Sequence, residues 1–175
     1  MQKIEIQKIA LREIEVLKRL GRQTFTETFA EVNSEGNMLH YLDGKFSNQK
    51  LTAELSNPNS EFYFARLNNE VVGYLKVNFG EAQTELQDSQ GLEIERIYVL
   101  KQFHGAKIGQ YLYEKAVAIA KNSGLNYIWL GVWEENLRAL NFYKKNGFVE
   151  FDKHIFKLGN DEQTDLLMKL TLEQP

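Results

Sequence analysis

The chain predicts a mixed α/β fold of the α+β kind: a central, largely antiparallel sheet of seven strands flanked by helices. Three observations predict it. Residues 92–99 form an apolar strand that runs directly into a helical period, with Ile108, Tyr111, Leu112, Ala116, Ile119 and Ala120 recurring on one face. A second strand-helix unit follows, LNYIWLGVW then EENLRALNFYKKNGF, and consecutive units of this kind call for a parallel crossover. Elsewhere, short alternating runs come in pairs around polar turns, EFYFARL and VVGYLKVNF joined by NNE, then VEFDKHIFKL before TDLLMKLTL. Those are antiparallel hairpins.

The elements follow in order. Ile4 and Ile6 alternate with Glu5 and Gln7, which makes residues 3–9 a strand with one buried face. From Leu11 the period changes: Leu11, Ile14, Leu17, Leu20 and Thr24 step around a helix running toward Ala30, weakened in its middle by Gly21. Met38, Tyr41 and Leu42 mark a short helix at 37–45, and a third, at 49–55, starts behind Ser47 as its N-cap. Asn57-Pro58-Asn59 breaks the pattern before the first hairpin, whose turn lies at Asn68-Asn69. The stretch 80–91, GEAQTELQDSQG, is polar, acidic and aperiodic, and reads as a mobile loop. The last two strands are expected to flank a turn at 159–163. The order is β-α-α-α-β-β-β-α-β-α-β-β.

Composition narrows the function classes. A chain of 175 residues with 43% apolar content suits one core, hence one domain over 1–175. A net charge of −3 lacks the basic field that a nucleic-acid partner requires. The absence of cysteine removes disulfides, thiolate metal sites and a Cys nucleophile. His40, His104 and His154 stand far apart without ligand spacing, so no metal is expected. No apolar run approaches the ~18 residues of a membrane span, and the N-terminus lacks a signal-type apolar core. A soluble cytoplasmic protein without a membrane partner is the expectation, with a homodimer left open.

Two motifs carry the chemistry. In QFHGAKIG, Gly105 sits where the backbone must bend, and unpaired N–H groups at the following helix start make a site for an anion beside Lys107. On the later helix Asn136, Ala139 and Tyr143 fall at i, i+3 and i+7, on one side. With these the chain resembles the GNAT superfamily of acetyl-CoA-dependent N-acetyltransferases. That superfamily is marked by an [R/Q]-x-x-G-x-[G/A] turn after a strand and a later N-x-x-A-x-x-x-Y-x-x-x-G-F helix. Asn136, Ala139, Tyr143, Gly147 and Phe148 match the second motif in full. Gln102 and Gly105 match the first, with Lys107 in a place that usually holds a small residue and Gly109 where a further glycine is common.

The resemblance implies acetyl-CoA as co-substrate and a role for each group. His104, Gly105, Ala106, Lys107, Ile108, Gly109 and Gln110 would hold the pyrophosphate through backbone N–H groups, with His104 and Lys107 adding charge. Ile97, Tyr98 and Val99 would pair through their backbone with the pantetheine arm, and a main-chain N–H there would serve the oxyanion. Asn136 and Ala139 would contact the cofactor, and Tyr143 would be the general acid that protonates the departing thiolate. A phenol near pKa 10 and a thiol near about 8.5 make that transfer only somewhat uphill. Glu93 and Glu95 alternate along the strand, and Glu95 is the preferred general base because it lies nearer the oxyanion position. Plainer readings stand beside these: Lys107 as a solvated lysine, Tyr143 as packing, Asn136 as a helix cap, and the glutamates as solvent-facing strand residues.

For the acceptor, residues 24–46 are similar to the bacterial spermine/spermidine acetyltransferase branch, in T-F-x-x-T-F (Thr24, Phe25, Thr28, Phe29) and M-x-x-Y-L (Met38, Tyr41, Leu42). Phe25, Glu27, Phe29 and Tyr41 then become the candidate substrate contacts, a mixture of aromatics and acid suited to a cationic, polyamine-like primary amine. Direct attack in a ternary complex is the implied route. A protein N-terminus or lysine as acceptor remains open, as does a non-catalytic acyl-CoA sensor.

Overall fold

The structure, a computed structural model, describes residues 2–174. Its strands are β1 (Ile4–Lys8), β2 (Ser60–Leu67), β3 (Glu70–Phe79), β4 (Gly91–Val99), β5 (Tyr127–Trp133), β6 (Val149–Leu158) and β7 (Asp161–Thr171). Its helices are α1 (Ile14–Phe29), α2 (Glu35–Lys45), α3 (Asn48–Ser56), α4 (Ile108–Asn122) and α5 (Leu137–Lys145). The strands form one sheet in the order β1-β2-β3-β4-β5-β7-β6. Every neighbouring pair is antiparallel except β4 with β5.

That parallel pair is short, and the site depends on its shortness. Only Gly91, Leu92 and Glu93 of β4 lie opposite Tyr127, Ile128 and Trp129 of β5. Beyond Glu93 the strands part, β4 following β3 as far as Val99 and β5 following β7 as far as Asp165. A bulge marks the parting. Lys76 lies opposite Arg96 and Val77 opposite Ile94, so Glu95 is an extra residue on β4, and such an insertion bends the strand that carries it. The sheet therefore opens into a fork.

Apolar faces close both sides of the sheet. On one, Ile108, Leu112, Ala116 and Ala120 of α4 pack with Leu92, Ile94, Ile128 and Leu130. On the other, Leu17, Leu20, Phe25 and Phe29 of α1 pack with Met38, Leu42, Phe46 and Leu51. Gly21, expected to weaken α1, instead makes room: a Cβ there would stand 2.4 Å from Cε1 of the buried Phe46 ring. Close packing at that point outweighs the roughly 1 kcal/mol helix penalty of glycine.

Most boundaries agree with the sequence within a few residues, including Ser47, whose Oγ accepts from Lys50 N–H at 3.2 Å. The turn at Asn68-Asn69 has both residues at positive φ, 50° and 73°, which matches a type I′ hairpin. Three details differ. The first helix begins with a 3-10 turn at Leu11–Glu13. The last hairpin turns tightly, so that β7 already starts at Asp161. The stretch 80–91 is pinned, because its polar groups satisfy buried partners: Trp129 Nε1–H donates to Gln83 Oε1 at 2.6 Å and Tyr127 Oη–H donates to Asp88 Oδ2 at 2.7 Å. Thr84 donates to Glu93 from both its N–H and its hydroxyl.

Candidate active site

The fork opens into a cavity of about 380 Å³. Its β4 wall carries Glu93 to Tyr98, its β5 wall Gly131, Val132 and Trp133, and its α5 wall Asn136, Ala139 and Tyr143. The strand and the later helix motif, separated by some forty residues of sequence, thus converge on one space. Leu100 N–H donates to Val72 O of β3 at 2.9 Å, so alternation along β4 turns the backbone of Ile97 and Val99 toward the fork and that of Tyr98 toward β3. Tyr98 was expected to offer its backbone to a pantetheine arm; that backbone faces β3, although the residue lines the cavity.

At the end of β4 the chain makes a 3-10 turn (Lys101–Phe103) and enters α4. Gly105 has φ 91° and Lys107 φ 63°. The left-handed conformation at Lys107, where a β-carbon costs about 1 kcal/mol, explains why a small residue suits this place. Gln110 and Tyr111 N–H both reach Lys107 O, which leaves the N–H groups of Lys107, Ile108 and Gly109 without an intrachain acceptor among the described residues. They form the anion-seeking start of a 15-residue helix. Gly105 and Ala106 shape the same turn, while the Ile108 side chain is core.

Two residues of this turn depart from expectation. His104 was expected to add charge, but its Nε2–H donates to Val99 O at 2.8 Å, and burial holds its pKa below the usual value. It is neutral at pH 7 and occupies a fork-side carbonyl. Gln110 was placed among the phosphate contacts, yet its N–H is taken by Lys107 O and its amide is paired with Asn146 at the end of α5. It ties the two motif helices together.

Tyr143 is 6% exposed, packs edge-on against Phe142 and Phe148, and its hydroxyl donates to no protein group among the described residues. Burial pushes its pKa up, so it is a protonated phenol at neutral pH. Asn136 caps α5, its Oδ1 accepting from Ala139 N–H at 3.2 Å.

The two β4 glutamates reach the cavity in different states. Burial pushes the Glu93 carboxyl up despite hydrogen bonds from Asn78 and Thr84. Glu95 is partly buried, which also raises its carboxyl, but the Arg96 guanidinium and Lys76 ammonium outweigh that and hold it below the usual carboxylate range. It ion-pairs with Lys76 and lies 3.8 Å from Arg96 Nε; Glu54 of α3 completes the group at 3.3 Å from both cations. Glu95 is therefore an ionised carboxylate committed to two cations.

Of the acceptor residues, Phe25, Phe29 and Tyr41 line the cavity. Phe25 stacks on Tyr41 at 4.3 Å and Phe29 lies 5.6 Å from Trp133. Glu27 does not belong with them. It faces the other side of α1, where its Oε2 accepts Lys101 N–H at 2.7 Å, so it braces the turn that precedes α4. Sequence reasoning missed Trp133, Phe156, Lys45, Glu85, His154 and Asp165, all on the cavity wall. Trp133, Asp165 and His154 sit side by side on β5, β7 and β6, a row that becomes visible only with the strand register.

A model of the acetyltransferase (GNAT) family matches residues 22–148. An uncharacterized N-acetyltransferase of Lactobacillus delbrueckii subsp. lactis is 39% identical over 98% of this chain and 99% of its own. Spermidine N(1)-acetyltransferase of Thermoplasma acidophilum is 26% identical over 97% of this chain and 98% of its own. Among solved structures, the PaiA N-acetyltransferase of Thermoplasma acidophilum in complex with coenzyme A superposes with a TM-score of 0.81 at 26% identity, covering 97% and 99% of the two chains. The free N–H groups at the start of α4 and the unpaired fork of β4 and β5 fit the phosphates and amide arm of that cofactor. The chain belongs to the acetyltransferase (GNAT) family, and it is an N-acetyltransferase that takes its acetyl group from acetyl-CoA.

Proposed function

We propose that the acceptor is a small polyamine-like primary amine, acetylated by direct attack while both substrates are bound. One observation carries this reading: Phe25, Phe29 and Tyr41 share a cavity with Glu85 and Asp165, and that cavity also reaches Tyr143. Aromatic faces and carboxylates attract ammonium groups, and the attraction grows where water is excluded. The likeness to a spermidine acetyltransferase over 97% of the chain supports the same class.

In this reading the N–H groups of residues 107–109 take the pyrophosphate and the fork-side backbone of Ile97 takes the pantetheine amides. The neutral amine nitrogen bonds the thioester carbonyl carbon. The C–S bond then breaks as Tyr143 gives its proton to the departing sulfur, and the surplus proton on the new amide nitrogen returns to the Tyr143 phenolate. Glu95, fixed between Lys76 and Arg96, holds the bulge that opens the fork.

A thiol-release assay with acetyl-CoA and a panel of acceptors tests the proposal. Spermidine and short diamines are expected to exceed monoamines and peptide N-termini in kcat/KM by at least ~10-fold, the value of one ion pair of about 1.4 kcal/mol. A preference for peptides would assign the acceptor to proteins.

A further inference from the structure

The N–H groups that meet the pyrophosphate are only as well placed as the chain that leads to them. Residues 100–107 join β4 to α4, and within them Gly105 and Lys107 both stand at positive φ. An irregular segment of this kind keeps one shape only where its backbone polar groups are satisfied. Internally, Phe103 N–H donates to Leu100 O at 2.9 Å, His104 N–H to Lys101 O at 3.1 Å and Ala106 N–H to Phe103 O at 3.3 Å. Two further bonds tie the segment to the sheet, from Leu100 N–H to Val72 O and from His104 Nε2–H to Val99 O. Another crosses to α1: Lys101 N–H donates to Glu27 Oε2 at 2.7 Å, over a separation of 74 residues.

That carboxylate is itself fixed. Its other oxygen, Oε1, accepts from Gln23 Nε2 at 3.0 Å, one helical turn back, and α1 is anchored by Leu17, Leu20, Phe25 and Phe29 in the core. Lys101 opens a 3-10 turn whose preceding residue, Leu100, has no side-chain oxygen to cap it, so Glu27 supplies the cap from another element. A bond from a backbone N–H to a carboxylate is charge-assisted and stronger than its neutral counterpart. A negative charge beside a phosphate-binding turn works against the ligand by itself. Here Lys101 and Arg138 offset it, their charges bearing on the same His104 ring as that of Glu27.

Glu27 also stands apart from the acceptor. Phe25 and Phe29 line the cavity, whereas Glu27 lines a groove on another face of α1 together with Gln23 and Thr26.

We propose that Glu27 is a positioning residue for acetyl-CoA. By holding Lys101 N–H it sets the course of residues 101–107, and with it the direction in which the N–H groups of Lys107, Ile108 and Gly109 point. Glu27 touches neither substrate and acts through the turn. The inference rests on the pyrophosphate lying at the start of α4 and is independent of which amine is the acceptor.

Glu27→Ala is expected to raise the coenzyme A dissociation constant, read by calorimetry, by about 10-fold, within the range for a lost helix cap, and the KM of acetyl-CoA in proportion. At saturating acetyl-CoA, kcat and the KM of the acceptor should stay within about 2-fold of the parent, since the chemistry and the acceptor contacts are untouched. Glu27→Gln keeps an oxygen within reach of Lys101 N–H and should bind coenzyme A within about 3-fold of the parent. Amide hydrogen exchange on the protein without ligands reads the cap directly: Lys101 N–H should exchange faster in Glu27→Ala and near the parent rate in Glu27→Gln. Coenzyme A affinity unmoved in Glu27→Ala overturns the proposal, and a rise in the acceptor KM in its place makes Glu27 an acceptor contact. A Glu27→Gln variant as weak as Glu27→Ala overturns it too, because the charge and not the bond would then be decisive.

Discussion

Tyr143→Phe is expected to cut kcat by roughly 100-fold, the low end of what a positioned proton donor contributes, with coenzyme A affinity within about 2-fold of the parent. The expectation follows from three facts. The phenol is 6% exposed on the cavity wall, burial keeps it protonated at neutral pH, and no protein acceptor competes for its proton among the described residues. Phenylalanine preserves the edge-on contacts with Phe142 and Phe148, at 5.4 and 5.5 Å, so α5 and its cap at Asn136 stay in place. Stopped turnover with intact calorimetric binding of coenzyme A identifies a proton donor; unchanged turnover makes Tyr143 a packing residue.

The second large effect concerns stability. Glu95→Gln is expected to cost about 3 kcal/mol of unfolding free energy at pH 7, because it leaves the buried Lys76 and the largely covered Arg96 with Glu54 as their shared carboxylate. The pH dependence has a definite sign. The folded pKa of Glu95 lies below its ordinary value, so its stabilisation is present in full above about pH 4.5 and disappears as pH falls through the lowered folded value. The gap between parent and variant in urea midpoints should accordingly be wide at pH 7 and close in the acid range. Adding Lys76→Met to the variant should recover part of the loss, since removing the opposing charge relieves the unpaired cation. Equal midpoints for parent and Glu95→Gln at pH 7 would mean that the bulge does not depend on this ion pair.

Much of this architecture is local in origin and therefore visible in the sequence. The switch of period between Val99 and Ile108 marks the strand-turn-helix that offers its N–H groups, and the 3.6-residue spacing puts Asn136, Ala139 and Tyr143 on one face. What escaped depends on pairing over long sequence distances. Glu93 and Glu95 read as twins on one strand face, but the bulge opposite Lys76 and Val77 gives them different partners and opposite pKa directions. Polar residues 80–91 read as mobile because their hydrogen-bond partners, Trp129, Tyr127 and Glu93, lie on strands whose register the sequence does not state. Glu27 followed its helix neighbours Phe25 and Phe29 into the candidate site, although a step of two residues turns it to another face of α1. Asp165 and His154 are eleven residues apart in the chain and adjacent across β7 and β6, a proximity that only the final hairpin creates.

The central claim is that the fork between β4 and β5 guides the reacting sulfur to Tyr143. A crystal structure with coenzyme A tests it most directly. The account predicts the pyrophosphate on the N–H groups of residues 107–109, the arm bonded to the backbone of Ile97, and the sulfur within about 4 Å of the Tyr143 hydroxyl. A sulfur lodged elsewhere, with the fork empty and Tyr143 turned toward protein alone, would contradict it.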